Sequence, residues 1–283
     1  MQFYSKPAMS AEEFRLFQEF VAELFGIVID EGRENYLVQK LLPRLEALRH
    51  SSFAEYYAHL KYAPNREEEH QLLISLVTNN ETYLFREESQ LDIFAKVTLP
   101  ALKEKCLQTG TRKLRIISAG CSSGEEVYTL AMILLESGLF LWDWDIAICG
   151  IDIDAQVIAK AEKGVYSGRA FQTTPPNYID RYFNKCDDGM QVRESLRRIT
   201  RFSRGNLLNL ENPFAGEWLD VIFCRNVLIY FSEETIGQIV AGFGQFLKRD
   251  GLLFLGHSES LARITTQFIP ERHPGAIIYK KRD

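Results

Sequence analysis

The chain reads as an α/β protein: an open, mostly parallel sheet with one reversed edge strand, preceded by a small all-helical domain. Three observations predict this. Roughly seventy residues of helical apolar periodicity come before any strand-like run. After them, short β-branched runs alternate with helical patterns, as in doubly wound sheets. The first such unit, LRIISAGCSSGEEVYTLA from Leu114, spells strand, turn of small residues, then helix.

The elements follow in order. Ser10 and Glu13 form a capping box ahead of an apolar stripe of Phe14, Phe17, Val21 and Leu24, and Gly26 marks the end of that helix. Residues 35–50 form a second helical segment, in which Pro43 is either a kink or the first position of a new helix. Ser51 and Ser52 open a short helix through Tyr56, Tyr57 and Leu60, and Pro64-Asn65 opens another carrying Leu72, Leu73, Leu76 and Val77. This places an all-α domain over residues 1–80 and an α/β domain over 81–283. Arg33, Lys40, Arg44 and Arg49 form a positive stripe in an otherwise acidic domain, either a partner surface or a solvated amphipathic face.

Beyond a polar and aromatic connector (78–86), a helix is expected over 89–106 and strands at 114–117 and 146–151. A helix is expected over 157–163, and Asp188-Gly189 suggests a hairpin in a small insertion at about 172–198. Further strands are expected at 199–203, 219–224, 251–256 and 276–280, with helices over 233–247 and 260–268. The last strand at the end of the chain supplies the reversed edge.

The turn after the first strand is not a phosphate cradle. It lacks G-x-G-x-x-G and a P-loop Lys, and Glu125 and Glu126 would repel a pyrophosphate. A cationic or zwitterionic nucleoside suits it better. Asp152, 28 positions after Gly124, ends the second strand where an acidic side chain accepts from a ribose diol; an ordinary βαβ unit with a solvated acidic turn is the alternative.

Composition narrows the classes. A net charge of −5 gives no general reason for nucleic-acid binding. The N-terminus lacks a signal peptide's apolar core, and no apolar run approaches the ~20 residues of a membrane span. Five scattered cysteines without C-x-x-C spacing and histidines without H-E-x-x-H pairing argue for reduced thiols in the cytosol and no metal.

Five stretches together resemble the bacterial chemotaxis receptor glutamate methyltransferases (CheR): Thr78-Asn-Asn-Glu-Thr-Tyr-Leu-Phe-Arg86-Glu, Ser118-Ala-Gly-Cys-Ser-Ser-Gly-Glu-Glu126, Asp152-Ile-Asp154, Phe223-Cys-Arg-Asn-Val-Leu-Ile-Tyr-Phe231 and Leu252-Leu-Phe-Leu-Gly-His-Ser-Glu259. The resemblance implies a class I, Rossmann-like methyltransferase fold and S-adenosyl-L-methionine as methyl donor, with S-adenosyl-L-homocysteine as product. The reaction it implies is methyl esterification of receptor glutamates. By position, the family's cofactor contacts fall on Asn80, Thr82, Arg86, one of Glu125 and Glu126 (the latter preferred), Asp152, Asn206, Leu207, Arg225 and Asn226. Arg86 and Tyr230 correspond to the residues nearest the transferred methyl. One departure is Val127, where the family usually has Pro; in a first helical turn this costs little.

The implied partner is the cytoplasmic helical domain of a chemoreceptor, met through Lys40, Arg44 and Arg49 by a cytoplasmic monomer. The short turn of the 172–198 insertion, compared with members that dock a receptor tail peptide there, predicts independence of such a peptide. On the residues alone, Arg86 could instead pair with Glu87 or Glu88, Tyr230 could be a core aromatic, and Asn226 a turn residue. A same-fold methyltransferase with another substrate, or a non-catalytic cofactor-sensing module, are the competing functions.

Overall fold

The computed structural model describes residues 7–140 and 142–282. They divide into two compact units: one runs to Asn79 and takes in Tyr230–Ser232, the other holds Asn80–Ile229 and continues from Glu233.

The helical unit contains α1 (Ala11–Phe25), α2 (Glu34–Leu48), α3 (Phe53–Tyr62) and α4 (Arg66–Val77). The Ser10–Glu13 capping box forms in both directions, and Gly26 ends α1 with a left-handed backbone at φ 75°. Pro43 lies inside α2, which continues through it. Phe17, Phe53 and Tyr56 are fully buried, and Phe17 stacks on Tyr56 at 6.0 Å and meets Phe53 edge-on at 6.4 Å. Each such ring contributes about 2 kcal/mol of transfer free energy. Beneath them the Glu69 carboxylate is buried, accepting from Arg44 Nε (2.9 Å), Arg44 Nη2 (2.7 Å) and the Tyr56 hydroxyl (2.8 Å). The Val28 N–H donates to the Tyr230 carbonyl at 2.8 Å, and Ile27 bridges Phe231, so the segment 230–232 packs as part of this unit.

The α/β unit opens with α5 (Glu88–Ile93) and α6 (Leu99–Gln108), joined by one π-helical turn over Phe94–Thr98. The wide turn precedes Pro100, whose ring would otherwise meet the carbonyl one turn back. Then come β1 (Lys113–Ala119), α7 (Glu125–Glu136), β2 (Asp145–Asp152), α8 (Ala155–Lys163), β3 (Val165–Tyr166), α9 (Pro176–Tyr182), β4 (Phe183–Cys186), β5 (Gly189–Val192), α10 (Glu194–Arg197) and β6 (Thr200–Arg204). β7 (Leu219–Cys224), α11 (Glu233–Phe246), β8 (Leu247–Leu255), β9 (Phe268–His273) and β10 (Ala276–Lys281) complete it.

Among the described residues the main sheet has the order β6-β2-β1-β7-β8-β10-β9. Strands β6 through β8 are parallel, and β10 runs antiparallel to both β8 and β9. The order reverses between β1 and β7, which opens a crevice beyond the carboxyl ends of the strands. β7 is buried throughout and β1 beyond its first residue, as expected of strands covered on both faces. Phe223 of β7 stacks on Phe254 of β8 at 4.4 Å, and Phe94 of the π turn stands edge-on to Phe223 at 5.2 Å.

Three details depart from expectation. The reversed strand is β10, one in from the edge, because an unforeseen strand, β9, takes the edge. The helix expected over 260–268 is a run of turns leading into β9. The insertion is a three-stranded antiparallel sheet, β3-β5-β4, whose strand β3 comes from before residue 172.

Candidate active site

The loop after β1 is tied directly to the end of β2. The N–H groups of Gly120 and Cys121 both donate to the Ile151 carbonyl, at 2.8 and 3.0 Å. Gly120 has φ +74°, and a Cβ there would lie 2.5 Å from Val227 Cγ2. Only glycine lets the loop after β7 approach this closely. The buried Asp152 carboxylate accepts from the N–H of Ser122 (2.8 Å) and of Asp154 (3.0 Å). Burial pushes its pKa upward, and those two bonds oppose the shift.

Asp154 lies two residues beyond Asp152, at the start of α8. It caps α8 through the Gln156 N–H (2.8 Å) and accepts from the Asn80 side chain (3.2 Å). The Ser122 hydroxyl donates to the Asn80 carbonyl at 3.2 Å, so Asn80 is fastened to both β1 and β2 loops. The Gly205 N–H donates to the Asp152 carbonyl at 2.9 Å, which brings Asn206 and the buried Leu207 to the same end of the sheet. The Asn206 side chain accepts from the Leu208 N–H at 3.0 Å.

Gly124, at φ +90°, turns the chain into α7. The two carboxylates that follow diverge. Glu125 is buried and accepts from the hydroxyl of Ser123 (2.8 and 3.1 Å), and burial raises its pKa. Glu126 accepts from the Ser118 hydroxyl at 2.7 Å and from Arg225 Nη1 at 3.0 Å.

Arg225, with a side chain only 2% exposed, also reaches Glu87 Oε2 at 3.3 Å and the Arg86 carbonyl at 2.5 Å. Its Nε is buried with no partner among the described residues. Glu87 Oε1 accepts from the Asn226 side chain (3.0 Å) and faces His257 Nδ1 (2.9 Å). Burial pushes the Glu87 carboxyl up, but His257, Arg225 and Asn226 together hold it below its ordinary value. The Glu259 carboxylate accepts four backbone N–H groups: Asn226 (2.9 Å) and Gly256 (2.6 Å) on one oxygen, Val227 (2.9 Å) and Leu228 (2.7 Å) on the other.

Asn80, Glu126, Asp152, Asn206, Leu207, Arg225 and Asn226 are thus gathered at the carboxyl ends of β1, β2, β6 and β7. Glu125 bonds Ser123. Thr82 is half-buried in the connector. Arg86 pairs with neither Glu87 nor Glu88: its Nη1 donates to the Glu81 carbonyl at 3.0 Å, and the guanidinium lies 5.8 Å from the Tyr83 ring centre. Tyr230 belongs to the helical unit. Arg44 of the expected docking stripe is committed inward to Glu69, while Lys40 lies over the Tyr36 ring at 5.3 Å. Glu87, His257 and Glu259 were missed as site residues. Their only sequence signal was membership of the quoted motifs.

This fold, with carboxylates at the ends of its first two strands, defines a class I methyltransferase that uses S-adenosylmethionine. Residues 12–78 match the CheR methyltransferase all-alpha domain and residues 80–276 the CheR methyltransferase SAM-binding domain, so the chain belongs to the CheR family. It is 35% identical to chemotaxis protein methyltransferase 2 of Vibrio cholerae, over 95% of this chain and 92% of that one. It is 34% identical to the chemotaxis protein methyltransferase of Borreliella burgdorferi, over 89% of each. With that of Salmonella typhimurium it shares 33% identity over 95% of this chain and 90% of the relative. Among the described residues no helix is long and apolar enough to cross a membrane.

Proposed function

We propose that this chain, a cytoplasmic monomer, transfers the methyl group of S-adenosylmethionine to glutamate side chains in the cytoplasmic helical domain of chemoreceptors, forming γ-methyl esters. The observation that carries the reading is the relay Glu126–Arg225–Glu87, centred on the buried Arg225, at the same end of the sheet as the buried Asp152 and at the point where the sheet order reverses. The residues fit the methyl donor. Asp152 suits a ribose diol. Glu126 suits the donor's ammonium group, and the unpartnered Nε of Arg225 is a buried donor for an acceptor from outside the chain. Asn80, Thr82, Asn206, Leu207 and Asn226 would complete the nucleoside site, and Glu125, turned toward Ser123, would support the α7 turn.

When bound, the cofactor supplies an electrophilic methyl on a sulfonium. A substrate carboxylate oxygen would form the new C–O bond as the C–S bond breaks, its electron pair staying on sulfur. An anion and a cation become two neutral products. Charge is lost along the reaction, so a site that excludes water favours it. A glutamate carboxylate, ionised above about pH 4.3, needs no general base. The protein's work is alignment, for which Arg86 and Tyr230 are the nearest groups by family position. Lys40 and Arg49 are the docking cations.

The test pairs binding with turnover. S-adenosylhomocysteine should bind with micromolar affinity, about −8 kcal/mol, and Asp152→Ala should abolish it. Labelled methyl should enter a receptor cytoplasmic fragment as a base-labile ester, and not RNA or metabolite pools. Cofactor binding without turnover on any receptor fragment would instead support a sensing module.

A further inference from the structure

We propose that His257 receives and orients the anionic side chain of the substrate, a role that rests on the methyl-transfer reading above. His257 is the solvent end of a continuous polar chain. The Ser118 hydroxyl donates to Glu126, Glu126 pairs with Arg225 at 3.0 Å, Arg225 pairs with Glu87 at 3.3 Å, and Glu87 faces His257 Nδ1 at 2.9 Å. Exposure rises steeply along it, from 2% for the Arg225 side chain through 14% for Glu87 to 75% for His257.

Two carboxylates, Glu87 and Glu126, share the Arg225 guanidinium, and the Glu87 end of the chain opens to solvent at His257. Glu259, on the same loop as His257, is already saturated by four backbone N–H groups. Glu87 is ionised and can only accept, so the hydrogen lies on His257 Nδ1 and Nε2 is the ring nitrogen left for a ligand. In the doubly protonated ring both nitrogens donate, and Nε2–H then offers a charge-assisted bond to the substrate oxygen that is not being methylated. Asn226 holds the same Glu87 oxygen at 3.0 Å, which fixes the carboxylate that aims the ring.

The experiment compares wild type, His257→Ala and His257→Lys in receptor-fragment methylation and in S-adenosylhomocysteine titration. For His257→Ala we expect the KM for the receptor fragment to rise about tenfold, the worth of one charge-assisted bond. The kcat should fall as well, because the carboxylate is no longer oriented, while product affinity should stay within about twofold of wild type. His257→Lys, which restores a cation without the ring, should recover part of the KM. An unchanged KM in His257→Ala, with wild type active, overturns this proposal alone. Parallel loss of product affinity and unfolding midpoint in both variants makes the residue structural and also overturns it. Absence of transfer by the wild type removes the methyl-transfer reading and this proposal with it.

Discussion

Burial pushes the Glu69 carboxyl upward, and bonds from Arg44 and Tyr56 more than offset it, so the group is held below its ordinary value. The unfolded chain titrates near pH 4.3. The pairing therefore contributes its full stability above that pH and loses it as pH falls through the lower, folded value. Removing the guanidinium strands a buried charge. Arg44→Met should cost about 3 kcal/mol in urea unfolding at pH 7. Below about pH 4 that deficit should narrow, because Glu69 is then protonated in the variant's folded and unfolded states; a deficit independent of pH would count against the pairing. Charge spacing alone placed Arg44 on the surface, because its partner lies 25 positions away and pairing of that range leaves no local pattern. Glu87 was hidden in the same way, lying 138 positions from Arg225. The place of Asp152 was legible, because the end of a second strand is a position readable from order alone.

The loop after β7 is shaped by a side chain from the loop after β8. Glu259→Gln keeps one acceptor oxygen and turns an NH2 toward two backbone N–H donors. The variant should lose at least about 2 kcal/mol of unfolding free energy, together with affinity for S-adenosylhomocysteine, since Arg225 and Asn226 lie on that loop. Unchanged product affinity in a destabilised variant would separate the loop from the site. The β4–β5 hairpin, with two residues at its turn, carries a different expectation: a receptor fragment without its C-terminal tail should be methylated as fast as one with it. Most elements could be read from apolar periodicity, down to the Ser10 cap and the Gly26 stop. β9 could not: Phe-Ile-Pro-Glu-Arg-His carries a Pro and three polar side chains and is tolerated as a strand only because it lies at the sheet edge. With β9 unseen, β10 took the edge by default.

For the whole molecule, a net charge of −5 disfavours encounter with an acidic partner surface, so the proposed docking would depend on a local positive region. Arg44 is internal and Arg33 lies 3.3 Å from Asp30, so of the positive stripe Lys40 and Arg49 are the proposed steering charges. Lys40→Glu should raise the KM for the receptor fragment with kcat unchanged, and raising salt from ~0.05 to ~0.5 M should do the same to wild type. A salt-independent KM would place the docking surface elsewhere. The two-unit plan and the sheet class were readable from the order of helical and strand-like runs. The contacts that join separate loops at the site were not, because they form between residues that only the fold brings together.

The Glu259 carboxylate has one further consequence, in time rather than in energy. Four amides, those of Asn226, Val227, Leu228 and Gly256, share a single acceptor group. None can be fully released unless that carboxylate moves. Their hydrogens should therefore exchange with solvent as a set, at one common rate, slowed together when S-adenosylhomocysteine is bound. That rate would serve as a clock for how often the floor of the site comes apart.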